Sequence, residues 1–258
     1  MGIELIGMVG TRSASELDGP QASLVGGHTD AEFLKRFSLA HEEAGFDKVL
    51  IGYGSSGPDG FSVASYISSF TTRLKFLIAH RPGFVAPTLA ARKAATLDQF
   101  SNGRVSLHFI TGVMKLEWTS DDPFDYEGQF YKVRKASSEV KPVQQPHIPV
   151  YFGGLSGPAR EVGAKHADVY MMWGEPVGAV REEIADVHTA AAKYGRKPAF
   201  SVSFRPIIAA TEEKAWEKAH GYLERILSLR KAAGAAVPAN YKPQAVGSQR
   251  LLSLADRG

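Results

Sequence analysis

The sequence predicts a (β/α)8 barrel, an α/β fold in which residues 1–258 form one domain. Short apolar runs typical of buried strands alternate about seven times with segments at helical spacing. This alternation implies parallel strands joined by helical crossovers. The turn at residues 10–14 lacks the Gly-x-Gly-x-x-Gly pattern of a doubly wound dinucleotide-binding sheet, which favours the barrel. We therefore expect the chemistry at the carboxyl ends of the strands.

Cap and turn residues set the boundaries of the predicted elements. Asp30 is placed to cap a first helix that Gly45 closes, and Pro87 begins a helix that ends at Asn102-Gly103. The predicted strands are 3–9, 48–51, 74–79, 105–110, 149–152, 169–172 and 200–209, with a short β excursion at 125–133. The predicted helices are 30–44, one ending at 70, 87–100, 156–166, 176–194 and 212–229.

The strand count leaves the barrel incomplete, because seven strands are found where a closed barrel has eight. Residues 236–258 contain no convincing strand, and residues 113–118 look like the end of a helix without its beginning. We therefore expect segments of the natural protein to be missing from this sequence, with breaks near Val113–Met114 and within Ala236–Gly247.

Composition excludes several classes of function. The net charge is +3, and 30 Lys and Arg are scattered among 27 Asp and Glu, which argues against a nucleic-acid partner. The absence of cysteine excludes disulfides, thiolate metal sites and a cysteine nucleophile, and no histidine pattern predicts a metal. With no apolar run of 18 residues and no signal peptide, we expect a cytoplasmic protein that does not enter a membrane.

Polar residues follow the third and fourth predicted strands. His80 and Arg81 come directly after strand three, while His108 lies near the end of strand four and Thr111 follows it. Each of them also fits a structural role, as a packed histidine or as an arginine paired with a carboxylate on the rim. The residue pattern leaves both interpretations open.

The ends of the last three strands favour an anionic ligand. Gly153 and Gly154 lead through Ser156 into a helix, and N–H groups at such a helix start suit a phosphate. The same pattern also fits a tight turn in which Ser156 only caps the helix. Trp173 either walls a ring-shaped ligand or packs on the rim, and Arg205 adds a cation. Since no carboxylate pair and no strand-end lysine is evident, we expect a cofactor to bring the chemistry.

Several longer stretches carry a family resemblance. They are residues 73–82, 87–98, 101–104, 109–112, 142–146, 150–154, 168–170 and 173–176. Through them the sequence resembles the bacterial-luciferase-like flavin monooxygenases, and within these the two-component alkanesulfonate monooxygenases. The loop at residues 52–59 resembles the branch that oxidises sulfoquinovose, a sulfonated sugar.

The resemblance implies a barrel enzyme that takes reduced FMN from a separate NAD(P)H-dependent flavin reductase. With O2 it would cleave the C–S bond of an organosulfonate, releasing sulfite and an aldehyde, and it would be a homodimer or homotetramer. By resemblance, the FMN site comprises His108, Thr111, Gly153, Gly154 and Ser156. The expected catalytic residues are Trp173, Arg205 and Arg81, and the sulfonate is expected to meet Arg12, His80, Arg81 and Arg205.

The sequence also departs from the pattern of this family. On strand seven, where the family usually has an Arg-x-His pair, this sequence has Ser203 and Arg205. In the first loop it has Thr11-Arg12 in place of Thr-His, and after the second strand it has Gly57 in place of a cysteine. The family's long mobile loop and eighth strand are not found, so no proton donor is assigned. Two alternatives stay open: an F420-dependent oxidoreductase on the same barrel, and a non-catalytic flavin-binding protein.

Overall fold

The computed structural model describes residues 2–11, 29–52, 58–80, 82–83, 85–109, 116–128, 131–136 and 141–232. The strands are β1 (Ile6–Val9), β2 (Lys48–Ile51), β3 (Lys75–His80), β4 (Val105–Phe109), β5 (Phe124–Glu127), β6 (Lys132–Ala136), β7 (Val150–Phe152), β8 (Val169–Trp173) and β9 (Ala199–Ser203). The helices are α1 (Ala31–Glu43), α2 (Gly60–Ser68), α3 (Pro87–Phe100), α4 (Leu116–Thr119), α5 (Gly157–His166), α6 (Val177–Ala192) and α7 (Glu212–Ala232). The predicted chain breaks at 113–114 and 236–247 lie outside the described residues.

Local sequence signals explain where the first helices begin and end. The Asp30 side chain accepts a hydrogen bond from the N–H of Phe33, and Gly45 adopts a φ of 81° just after α1. Pro87 begins α3 as predicted, and Asn102 takes a φ of 55° after its end. The predicted boundaries are therefore confirmed where a cap residue defines them.

Two strands are shorter than predicted. The first covers only Ile6–Val9, and Ile3 before it is 91% exposed. The last covers Ala199–Ser203 instead of 200–209, because Pro206 has no N–H to donate to a ladder and the residues after Ser203 are exposed. The β excursion is a hairpin of β5 and β6, which is antiparallel.

Seven of the strands form one parallel sheet in the order β1-β2-β3-β4-β7-β8-β9. A helix crosses from each of β1, β2, β3, β7 and β8 to the next strand, as predicted for a β/α barrel, whereas β4 leads to β7 through the short α4 and the hairpin. Among the described residues no strand joins β9 to β1. The sheet is thus the greater part of a barrel, open on one side within the described ranges.

The strand register separates two faces of this sheet. Val49, Phe76, Leu107 and Phe152 lie on the helix-facing side and belong to a single apolar core. Their neighbours in sequence therefore point to the other face. Across that face the ammonium of Lys48 on β2 donates to the phenol oxygen of Tyr151 at 2.6 Å, although a flat sheet would hold these strands roughly 14 Å apart. The second face is therefore concave, and it forms the barrel interior.

Four carboxylates hold the amino-terminal edge of the sheet together. Each accepts a hydrogen bond from a backbone N–H at or just before the start of a strand, and we call these four residues the basal carboxylates. They are Glu42, Asp47, Asp98 and Asp168. Although partial burial opposes it, the hydrogen bonds from the N–H groups of residues 72–74 lower the pKa of Glu42.

Candidate functional site

The carboxyl end of β7 turns into α5 through two glycines that approach other backbone closely. A Cβ on Gly153 would lie 2.8 Å from the carbonyl oxygen of Met171, and a Cβ on Gly154 would lie 2.7 Å from Cβ of Ala159. The carbonyl oxygen of Gly154 also accepts a hydrogen bond from the hydroxyl of Tyr170. These contacts require glycine at both positions, and they fix the turn against β8.

Helix α5 begins at this turn with a serine cap. The Ser156 hydroxyl accepts a hydrogen bond from the N–H of Ala159 at 3.3 Å, and its carbonyl accepts from the N–H of Arg160 at 2.8 Å. No carboxylate among the described residues accepts a hydrogen bond from the N–H groups of residues 154–157. Residues 153–156 are partly exposed at the carboxyl end of the sheet, where N–H groups at a helix start suit an anion.

His108 lies on the concave face of β4, directly opposite Tyr151 of β7 in the register. Its Nδ1 is buried without a hydrogen-bond partner in the described structure. Burial lowers the pKa of His108, so the ring is neutral at pH 7. A buried nitrogen without a partner on the inner wall of the barrel is unusual and marks His108 as a candidate site residue.

Trp173 and Arg205 form a pair at the carboxyl ends of β8 and β9. The Arg205 guanidinium lies over the indole ring, with Cζ 5.6 Å from the ring centroid. Trp173 remains 46% exposed, and Arg205 is exposed as well. In the part of the chain that the structure describes, Arg205 makes no ion pair with a carboxylate. The guanidinium is therefore held in place by the ring while its donors stay available.

His80 is placed differently from the other predicted site residues. It lies on the helix-facing side of β3, where its ring packs edge-on against Phe61 and Phe109. The residue is only 3% exposed, and its Nδ1 is buried without a partner among the described residues. Burial and the charge of Lys93 lower the pKa of His80, so it is neutral at pH 7. The structure brings together Trp173 and Arg205, but not His80 with them.

Three of the predicted site residues, Arg12, Arg81 and Thr111, lie outside the described residues. Their assignments to substrate, catalysis and flavin stay predictions. Within the described ranges, no three His, Asp or Glu side chains are grouped so that they could hold a metal ion. No helix there has both the length and the apolar character needed to cross a membrane.

Sequence reasoning missed a polar group inside the barrel. The buried Lys48 contacts Tyr151, and its Nζ is 3.6 Å from Oε2 of Glu4. The other carboxylate oxygen of Glu4, Oε1, is 3.6 Å from Nζ of Lys75. The sequence predicts Lys48 only as the first residue of strand two and assigns it no role. A charged residue at an inward position of a buried strand is a signal for such a group, but the register is needed to recognise it.

Solved structures of other proteins share this fold. DmoA from Hyphomicrobium sulfonivorans gives a TM-score of 0.74 at 19% identity, over 98% of this chain and 72% of that one. Riboflavin lyase with modified FMN and riboflavin gives 0.71 at 16% identity, over 86% of this chain and 66% of that one. An F420-dependent secondary alcohol dehydrogenase, solved with an F420-acetone adduct, gives 0.63 at 17% identity, over 99% and 82%. This chain thus spans about two thirds to four fifths of their lengths, and the likeness concerns the fold.

The family assignment comes from the sequence. A family model for luciferase-like monooxygenases matches residues 7–119 and 112–258. The two matched segments meet at residues 112–119, which is where the sequence suggests a missing segment. Together they cover nearly the whole chain, and the predicted luciferase-like α/β barrel is confirmed. The chain belongs to the luciferase-like monooxygenase family.

Proposed function

We propose that this chain is the oxygenase of a two-component system that uses reduced FMN and O2 to cleave the C–S bond of an organosulfonate. The observation that carries the proposal is the pairing of two features at one end of the sheet. A glycine turn with free N–H groups opens α5, and beside it an exposed guanidinium is stacked on an exposed indole.

The turn fits the phosphate of FMN. The N–H groups of residues 154–157 are the donors, and the start of α5 adds the positive end of its dipole. The absence of side chains at Gly153 and Gly154 lets the turn pack closely against Met171 of β8 and Ala159 of α5. The residues that would hold the phosphate are therefore Gly153, Gly154 and Ser156, as the resemblance implies.

The concave face beside this turn fits a flat ring. His108 presents an unpaired, neutral nitrogen from β4, and Trp173 presents its indole from β8. The other residue expected at the ring is Thr111. When bound, reduced FMN supplies the two electrons that activate O2 toward the substrate.

Arg205 suits a sulfonate head group. A sulfonate carries one charge over three oxygens and stays ionised at physiological pH, while a guanidinium offers paired donors and keeps its charge. Stacking on Trp173 holds the guanidinium before substrate arrives, so less freedom is lost on binding. Arg12 and Arg81 are proposed to complete the anion site, whereas His80 supports the end of β3 from behind. A sugar sulfonate such as sulfoquinovose is the proposed substrate.

The test is sulfite release. Purified protein is mixed with FMN, NAD(P)H and a flavin reductase, and sulfite is measured over a panel of alkyl, aromatic and sugar sulfonates. We expect sulfite from at least one sulfonate only when O2 and the reductase are present. Flavin binding with no sulfite from any of them would contradict the proposal and leave a non-catalytic flavin-binding protein.

An F420-dependent oxidoreductase is the second candidate, because one of the similar structures is an F420-dependent dehydrogenase that matches 99% of this chain. Its cofactor also carries a phosphate that the α5 turn could bind. Titration with reduced FMN and with oxidised F420 separates the two. Tighter binding of F420, together with its reduction by an alcohol, would favour the dehydrogenase.

A further inference from the structure

Two serines lie on the concave face of β9, shortly before Arg205 in the chain. The residues that alternate with them, Phe200 and Val202, pack against the apolar core on the helix side. Because successive side chains of a strand point to opposite faces, Ser201 and Ser203 point into the barrel. Ser201 is partly buried, and Ser203 at the end of the strand is exposed. The inner wall that leads up to Arg205 therefore carries hydroxyl groups.

Neither of these hydroxyls has a hydrogen-bond partner in the part of the chain that the structure describes. Several helix serines do have one, because they donate to a carbonyl one turn earlier, as the hydroxyl of Ser65 does to Phe61 at 2.8 Å. Strand carbonyls lie in the plane of the sheet, out of reach of a side chain that stands perpendicular to it. Ser201 and Ser203 each offer a donor and an acceptor that no described residue uses.

The register puts Ser203 beside the stacked pair of Trp173 and Arg205. Ser203 is the partner of Trp173 on β8, one strand spacing or about 5 Å away. The N–H of Gly174 donates to the Ser203 carbonyl at 2.8 Å, so the two strands stay paired to this point. The Arg205 guanidinium lies over the indole of the same tryptophan. A substrate that binds Arg205 and extends into the barrel must therefore pass Ser203.

The same wall continues to the glycine turn before α5. Met171 on β8 is the register partner of Ser201, and a Cβ on Gly153 would lie 3.4 Å from Cβ of Met171. These three residues thus form one row across β7, β8 and β9, about two strand spacings or 10 Å long. The two serines belong to the stretch of concave surface that also carries the proposed phosphate turn and Arg205.

Unpaired hydroxyls on the wall of a binding site discriminate between ligands. Water satisfies them while the mouth is open, and a ligand that fills the site displaces this water. Hydroxyl groups on the ligand would restore the lost hydrogen bonds. An alkyl chain would leave the serine hydroxyls unpaired, at a cost that lowers its affinity.

We propose that Ser203, with Ser201 one pleat deeper, is a specificity-determining residue that hydrogen-bonds hydroxyl groups on the carbon skeleton of the substrate. The site then selects polyhydroxylated sulfonates over alkyl sulfonates. The inference rests on the proposed function, in which Arg205 holds the sulfonate at the mouth. It adds which side chains distinguish one sulfonate from another.

The measurement is kcat/KM for sulfite release from sulfoquinovose and from hexane-1-sulfonate, an unhydroxylated sulfonate that also has six carbons. Wild type should prefer sulfoquinovose by at least about tenfold. Ser203→Ala removes one hydroxyl, so kcat/KM for sulfoquinovose should fall about three- to tenfold. The value for hexane-1-sulfonate should not fall. Ser201→Ala should act in the same direction.

Ser65→Ala is the matched control, since it removes a hydroxyl that is bonded within α2, and it should change neither value. An equal loss for both substrates in Ser203→Ala would mean an effect on the flavin or the fold and would overturn the inference. Unchanged sulfoquinovose turnover in Ser203→Ala, or a wild type that prefers hexane-1-sulfonate, would overturn it as well. The last two results leave the proposed function intact.

The proposed function fails separately, if no sulfonate releases sulfite. Calorimetric titration of the FMN-loaded protein with the same two sulfonates then decides the inference without turnover. Sulfoquinovose should bind more tightly than hexane-1-sulfonate, and Ser203→Ala should reduce that preference about three- to tenfold. Equal affinities for the two sulfonates, or a preference that Ser203→Ala leaves unchanged, would overturn the inference.

Discussion

The two ends of the sheet use their polar groups in opposite ways. At the amino-terminal edge, each basal carboxylate accepts a backbone N–H at or just before a strand start, and Glu42 and Asp98 each accept three backbone N–H groups. At the carboxyl edge, His108 has a buried nitrogen with no partner in the described structure, and Trp173 and Arg205 are exposed. Among the described residues, the carboxylates at one edge are hydrogen-bonded within the protein, while the side-chain polar groups of these three residues at the other edge have no hydrogen-bond partner there.

Stability and the proposed function depend on opposite edges of the sheet. A satisfied buried carboxylate is costly to remove, because its backbone partners lose their acceptor. An exposed cation stacked on a ring stabilises the fold little and is available to a ligand. Substitutions at the amino-terminal edge should therefore reduce stability, and substitutions at the carboxyl edge should reduce binding.

Asp98→Ala should have the largest effect. Asp98 is fully buried and accepts from the N–H groups of Val105, Val143 and Gln144 and from the Gln144 side chain. Its loss leaves one buried and several partly buried donors unpaired, so the free energy of unfolding should fall by about 3 kcal/mol. Urea unfolding measures it. Asp125→Ala on the exposed hairpin, which removes an acceptor for the Lys135 N–H, is the control and should cost far less.

Arg205→Ala should have the next largest effect, which should be confined to kcat/KM for the sulfonate. Loss of one charge-assisted contact costs about 1.5–3 kcal/mol, or roughly 10- to 150-fold in kcat/KM for the sulfonate. The melting temperature and the affinity for reduced FMN should remain those of wild type. Arg134→Ala, an exposed arginine of the hairpin, is the matched control. Retained sulfonate activity, or a loss of flavin affinity instead, would show that Arg205 is not part of the anion site.

Ser156→Ala tests the boundary between the two regions, since Ser156 caps α5 and also lies in the proposed phosphate turn. Loss of the cap should lower the free energy of unfolding by about 1 kcal/mol. The affinity for FMN should fall, while that for riboflavin, which has no phosphate, should change less. Calorimetric titration with both ligands measures this. Equal losses for the two ligands would place the phosphate elsewhere.

Glu42→Gln should have the smallest effect, visible only through pH. The hydrogen bonds of the folded state lower the pKa of Glu42. The Glu42 carboxylate therefore stabilises the folded state fully above its unfolded pKa, which is about 4.3. This stabilisation is lost as the pH falls through the lower pKa of the folded state. Wild type should lose more stability than Glu42→Gln between about pH 6 and pH 3. Parallel stability curves for the two proteins would contradict this.

Much of the fold could be predicted from local signals. Asp30, Gly45 and Pro87 set helix ends through their own backbone chemistry, and the structure confirms them. The predicted end of β9 was wrong. Apolar residues continue past Ser203, but Pro206 has no N–H to donate to the hydrogen bonds between strands. An apolar run indicates that a strand exists. Its length depends on how many of its residues pair with the neighbouring strand, which the run does not show.

The candidate site was predictable only in part. Gly153, Gly154 and Ser156 carry a turn-and-cap pattern that is local, and the structure has that turn and cap. The side of the sheet on which His80 lies was not predictable, since it depends on register with β4. The stacking of Arg205 on Trp173 joins residues on two strands and has no local signal.

Neighbouring residues and whole motifs are enough to predict the β/α alternation, the helix caps, the glycine turn before α5 and the family. The contact between Lys48 and Tyr151, which are 103 positions apart, could be recognised only in the folded chain. The reason is that sheet curvature and strand register set which side chains share the barrel interior, and both follow from packing across the whole sheet. The amino-terminal edge with its satisfied carboxylates and the carboxyl edge with its free donors are properties of that assembled sheet.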